Sequence, residues 1–97
     1  MHESHAPDLL LRLSLPVVRE FAGVPAEAAI KMAELLGHSA DAARSAGETI
    51  AALVAEVAPS GGAPAEITFE FHQSHGELRI DARCEGRSSR ARHPLPT

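Results

Sequence analysis

The chain has 97 residues, 44% of them hydrophobic, with three aromatics (Phe21, Phe69, Phe71), one cysteine and a formal net charge of −4. That length predicts one domain whose alanine-rich core is thin, a condition that favours self-association, while the acidic balance argues against a general nucleic-acid or anionic-membrane binder. Cys84 has no second cysteine to pair with and fits a reducing compartment; with no signal-peptide pattern and no apolar run near about 18 residues, the expected location is the cytoplasm.

Residues 1–8 (MHESHAPD) are polar and predict a mobile end. Residues 9–15 (LLLRLSL) alternate Leu9, Leu11, Leu13 and Leu15 against Leu10, Arg12 and Ser14, which predicts a half-buried strand stopped by Pro16. Such a strand joins the sheet as an edge or a third strand, or pairs with its copy in another subunit. From Pro16 the period becomes helical, with Val17, Phe21, Val24, Ala28, Met32 and Leu35 on one stripe. Gly23 and Pro25 interrupt it, so the helix either kinks or breaks there. Gly37 is a stop signal and Ser39 an N-cap for the next helix.

That helix, about residues 40–58, carries Ala43, Ala46, Ile50, Leu53, Val54 and Val57 on one stripe, with Ala51, Ala52 and Ala55 beside Arg44, Glu48 and Glu56 on the other. Arg44 and Glu48 form an i,i+4 pair, and the two-sided helix predicts contacts on both faces. Residues 59–64 (PSGGAP) read as a loop.

Residues 65–85 (AEITFEFHQSHGELRIDARCE) hold the clearest pattern. Ile67, Phe69 and Phe71 alternate with polar residues, then Leu78, Ile80, Ala82 and Cys84 do the same, around a break at Gln73-Ser74-His75-Gly76. This is a hairpin with one buried face. A four-residue loop would place Phe71 opposite Leu78, Phe69 opposite Ile80 and Ile67 opposite Ala82, with Glu70 meeting Arg79 and Glu66 meeting Arg83 outside. After Gly86, RSSRARHPLPT lacks periodicity and reads as a flexible basic tail, residues 87–97. The expected architecture is α+β in two layers: a small antiparallel sheet, one N-terminal strand plus the C-terminal hairpin, with two or three helices on one face. The ordered core is expected over residues 9–86.

Candidate sites each have a plainer reading. His72 and His75 flank the hairpin tip, but two imidazoles fall short of the three or four ligands of a zinc site, so no metal is expected. Cys84 lies on the inner face, as a small buried hydrophobe rather than a reactive thiol. Arg79, Arg83, Arg87, Arg90 and Arg92 make residues 71–97 net +2 against −6 for residues 1–70, yet no exposed aromatic accompanies them to stack on bases.

The element order, with ETIAALVAEVA leading into ITFEF…LRIDARCEG, resembles the histidine-kinase-like ATPase domain, in particular the small anti-sigma-factor serine kinases of bacterial partner switching. Leu11-Arg12-Leu13-Ser14-Leu15-Pro16, Leu36-Gly37-His38-Ser39 and Glu48 fall where the family has its opening strand, its Leu-Gly-Ser/Thr turn and the Glu of its Glu-x-x-x-Asn motif. The resemblance implies that Ala52 replaces the Mg²⁺-binding Asn, and a methyl group offers no oxygen to a hard cation. It likewise implies that Cys84-Glu85-Gly86 replaces the adenine-reading Asp-x-Gly, leaving a degenerate site of Glu48, Ala52, Cys84 and Gly86.

The expected function is a non-enzymatic regulatory module that binds another protein, self-associates and needs no cofactor. Its interface is expected at Leu10, Leu11, Leu13, Val17 and Phe21. A nucleotide-binding serine kinase, or a nucleic-acid accessory using the arginine tail, are the alternatives.

Overall fold

The computed structural model describes residues 9–59, 65–74 and 77–94. The expected mobile end at residues 1–8 and the hairpin tip at His75 and Gly76 lie outside them, as does most of the loop before the hairpin. In chain order come β1 (Leu9–Pro16), a 3-10 turn (Arg19–Phe21), α1 (Gly23–Leu35), α2 (Ala40–Val57), β2 (Glu66–Ser74), β3 (Glu77–Cys84) and β4 (Arg87–Pro94). The strands form one antiparallel sheet in the order β1-β2-β3-β4. Both helices lie on one face: α2 over β3 and β4, α1 beside α2 and touching β2 and β3. The fold class is α+β, as the alternation implies.

The hairpin register differs from the expected one by two residues. Ser74 pairs with Glu77, so Phe71 stands opposite Ile80 and Phe69 opposite Ala82. A two-residue shift leaves every side chain on its original face, so the hydrophobic pattern cannot distinguish the two pairings. Only the expected charge pairs could. In the structure Glu70 faces Asp81, Arg79 faces His72 and Arg83 faces Thr68. β1 joins as an edge strand, Leu11 opposite Phe71, Leu13 opposite Phe69 and Leu15 opposite Ile67, with a bulge between Leu9 and Leu11.

Arg87–Pro94, expected as a tail, is a full strand. Cys84 pairs with Arg87 across a two-residue turn in which Glu85 (φ 51°) and Gly86 (φ 85°) both have positive φ, the requirement of a type I′ hairpin. Ala91 packs against the core and Ser89 donates to the Glu56 carboxylate of α2. Arg90 and Arg92 turn to the open face. The strand alternates, but with serine, alanine and histidine on its inner side the alternation carries little hydropathy contrast.

The chain breaks between the 3-10 turn and α1, and Pro25 falls in α1's first turn, where no intrahelical N–H is required. This break resets the helical phase. Pro25, Ala29 and Ala33 are the buried residues, while of the expected stripe Ala28 and Met32 are half-buried against the core and Val24 and Leu35 are exposed. Gly47 of α2 makes room for a side chain of α1: a Cβ there would lie 2.9 Å from Ile30 Cγ1. α2 buries Ala43, Ala46, Gly47, Ile50, Leu53 and Val57, in agreement with its expected stripe, with Val54 half-buried. Arg44 pairs with Asp41 (3.2 Å), one turn back, instead of Glu48. Among the described residues, no helix is long and apolar enough to cross a membrane.

Deletion of residues 87–97 exposes the outer edge of β3, whose Leu78, Ile80 and Ala82 are fully buried. The truncated chain is expected to melt at least about 10 °C lower, or without a cooperative transition. An unchanged melting curve would show that β4 contributes nothing to the sheet.

Candidate functional site

Where β1 ends, Pro16 stops the ladder and the chain folds over the end of the sheet. Val17 N–H donates to Ala65 O (2.9 Å), Val18 N–H to Pro16 O (2.9 Å) and Phe21 N–H to Val18 O (3.1 Å). These bonds fix a tight corner whose apolar side chains have no helix above them. Beneath it is a cavity of about 290 Å³ between the corner, the start of α1, the middle of α2 and the inner face of β1 and β2. Phe21, Pro25, Gly47, Val54, Ile67 and Phe69 define its walls, and among the described residues no charged or hydrogen-bonding side chain lines it. A lining of this kind is suited to apolar shape.

Of the expected interface residues, Leu10 and Phe21 are exposed (40% and 42%), while Leu11, Leu13 and Val17 are half-buried against the core. Val18 (44% exposed), Val24 (42%) and Leu35 (78%) extend the exposed apolar surface along α1. Val24 and Leu35 escaped the sequence reading because they were placed on the helix's buried stripe. Their signal was the rival phase set by Pro25, Ala29 and Ala33.

The four positions of the degenerate nucleotide site fall on α2, on the end of β3 and in the turn after it. Glu48 and Ala52 are exposed one turn apart on α2, with Cys84 buried at the end of β3 and Gly86 exposed in the turn beyond. The pocket that Cys84 does line, with Val57, Pro59, Glu85 and Arg87, includes neither Glu48 nor Ala52. Burial pushes the Cys84 thiol up, Glu85 adds to the effect and Arg87 partly opposes it. A buried thiol with a raised pKa holds little thiolate at neutral pH. In native protein it is expected to react with a disulfide reagent at least about a hundredfold more slowly than in urea; equal rates would show that β3 leaves it accessible.

The open face of the sheet carries a polar cluster that the sequence reading did not assemble. Glu70 Oε1 lies 3.2 Å and Asp81 Oδ2 3.9 Å from His72 Nε2, and His72 is buried. Glutamate, histidine and aspartate together are a plausible donor set for a divalent cation. However, the other carboxylate oxygens are already engaged. Arg12 Nε (2.8 Å) and Arg83 Nη2 (3.4 Å) contact Glu70 Oε2, while Arg90 Nε (2.8 Å) and Arg79 Nε (3.6 Å) contact Asp81 Oδ1. Four guanidinium groups against two carboxylates oppose a further cation. They also explain how Glu70 and Asp81, like charges directly opposite, coexist. Arg12–Glu70–Asp81–Arg90 is a row across all four strands, and Arg79, Arg83 and Arg92 each contact a carboxylate of the sheet as well.

Burial raises the Glu70 pKa, but hydrogen bonds from His72 and Arg12 and the charges of Arg12 and Arg83 outweigh it, leaving the carboxyl below its ordinary value of 4.5. The stability it contributes is therefore present above pH 4.5 and lost as pH falls through the lowered value. Glu70→Gln is expected to cost on the order of 1 kcal/mol at pH 7 and less at pH 3 in urea titrations. The same loss at both pH values would rule out an electrostatic origin.

No family model matches the chain, and neither a curated protein nor a solved structure matches it.

Proposed function

We propose that this protein is a non-enzymatic regulatory module that acts by protein–protein binding and self-associates through the apolar surface of β1, the 3-10 turn and α1. One observation carries the reading. α1 turns its small residues inward and leaves Val24 and Leu35, together with the preceding Phe21, in water. Exposed large apolar groups on one side of a molecule, Phe21 and Val18 of them lining an apolar groove, mark an interaction site. The surface also supplies its own complement, since Phe21 and Val18 stand on the rim of the groove they line. Two copies related by a twofold axis can each offer these side chains to the other's groove, the self-complementary arrangement of an isologous dimer.

The same reading takes the chain as a catalytically silent relative of the anti-sigma-factor-like ATPase domains. Supporting it are the strand–helix–helix–hairpin order and the replacement of Asn by Ala52 and of Asp by Cys84. The exposed, dispersed positions of Glu48, Ala52 and Gly86 fit the loss of a nucleotide site. Supporting a protein partner over nucleic acid are the carboxylate contacts of Arg12, Arg79, Arg83, Arg90 and Arg92.

Light scattering across a concentration series tests the interface. The wild type is expected at twice the chain mass by high micromolar concentration, and Phe21→Glu and Val24→Glu at the single-chain mass with unchanged circular dichroism. A wild type that stays monomeric throughout would refute self-association.

A further inference from the structure

β1 and β4 are the two outer strands of the sheet, and their edges differ in kind. β4 carries Arg87, Arg90 and Arg92 and closes with Pro94, the charges and proline that blunt an edge against further pairing. β1 reads LLLRLSLP. Its one charge, Arg12, is held over β2 by Glu70 (2.8 Å), and among the described residues no strand pairs with its outer edge. The regular part of that edge is short, bounded by the bulge before Leu11 and by Pro16.

The backbone direction along this stretch is fixed by its last bond. Val17 N–H donates to Ala65 O (2.9 Å), in step with Leu15 opposite Ile67. Backbone groups alternate sides along a strand, so those of Leu11, Leu13 and Leu15 also point to β2, and those of Arg12, Ser14 and Pro16 point outward. Pro16 thus lacks its donor on the outer edge alone.

An antiparallel partner must set outward residues against outward residues, which leaves a second copy of this chain few registers. Arg12 opposite Arg12 places like charges directly against each other. Ser14 opposite Ser14 sets Arg12 against Pro16, which has no N–H to give. Arg12 opposite Ser14 has neither fault: both residues exchange N–H and C=O bonds with the other copy, about a twofold axis between the two Leu13 residues. The side chains agree with this register. On the helix side Leu13 meets Leu13 and Leu11 meets Leu15, all half-buried in the single chain. Leu15 also lines the apolar groove, so the second copy's Leu11 extends the groove's floor.

We propose that two copies of this chain pair antiparallel along β1, Arg12 opposite Ser14, and join their sheets into one. The inference rests on the reading of self-association above and assigns it a backbone contact and a register.

Cysteine cross-linking reads that register. Leu13→Cys puts two thiols across the axis on a non-hydrogen-bonded pair with Cα atoms about 4.5 Å apart, within a disulfide's span. With oxidised glutathione at high micromolar protein, this variant is expected to become a covalent dimer, whereas the wild type, whose Cys84 is buried, is not. Leu11→Cys and Leu15→Cys should each stay unlinked alone and link when mixed. Light scattering gives a second reading. Ser14→Pro removes an outward donor and leaves the ladder to β2, so the dissociation constant is expected to rise at least about tenfold. Ser14→Ala, which also loses the hydroxyl contact to Thr68 but keeps the donor, should leave it unchanged. A dimer that survives Ser14→Pro and stays unlinked as Leu13→Cys would overturn the edge pairing while leaving the groove as the contact. A wild type that is monomeric at every concentration would overturn both.

Discussion

Phe69 and Phe71, two residues apart on β2, are both fully buried, with ring centroids 6.5 Å apart. Together with Leu78 and Ile80 of β3 they supply the bulk of a core whose helical side is largely alanine. A domain of this size is stable by roughly 5–15 kcal/mol, and truncating one buried phenylalanine to alanine costs about 3–5 kcal/mol. The fold therefore depends on α2 staying seated over β3 and β4. β1 needs the ladder to β2 because its leucines are only half covered, and β4 needs the helix above it because its own inner side chains are small or polar.

The incomplete cover has a functional consequence. Two helices cannot span four strands, and the Gly47–Ile30 contact draws α1 close to α2. The side of the sheet nearest the end of β1 is left with a groove. Its walls are apolar because they are the margin of the core, and its rim is apolar because the break before α1 rotates large side chains outward. The open face is organised on the opposite principle: nearly every charge there is matched, and it has little left to offer a partner.

The two strands of the hairpin, α2 with its buried stripe, the Gly37–Ser39 corner and the half-buried first strand were all legible in the sequence. In each case local periodicity or capping chemistry coincides with what tertiary packing requires. The register of β2 on β3 was not legible, because pairings two residues apart bury the same side chains and the opposite charges favoured the wrong one. β4 was hidden by a Glu-Gly turn and by inner residues with little hydropathy contrast. α1's orientation was obscured because large apolar residues normally mark the buried side, and here Pro25, Ala29 and Ala33 are the buried residues. The groove was only partly legible. Phe21 and Val17 belonged to the expected surface, but their union with Pro25, Gly47 and Val54 depends on how the helices cross.

The central claim is that the working part of this molecule is an apolar binding surface on a scaffold without a nucleotide site. Thermal unfolding with Mg-ATP and Mg-ADP titrated into the millimolar range tests it most directly. The account predicts no change in the melting temperature. A saturable rise of several degrees, dependent on magnesium, would contradict it and would mean that α2 and the β3–β4 turn assemble a nucleotide site without the side chains at Ala52 and Cys84 that such a site is expected to need.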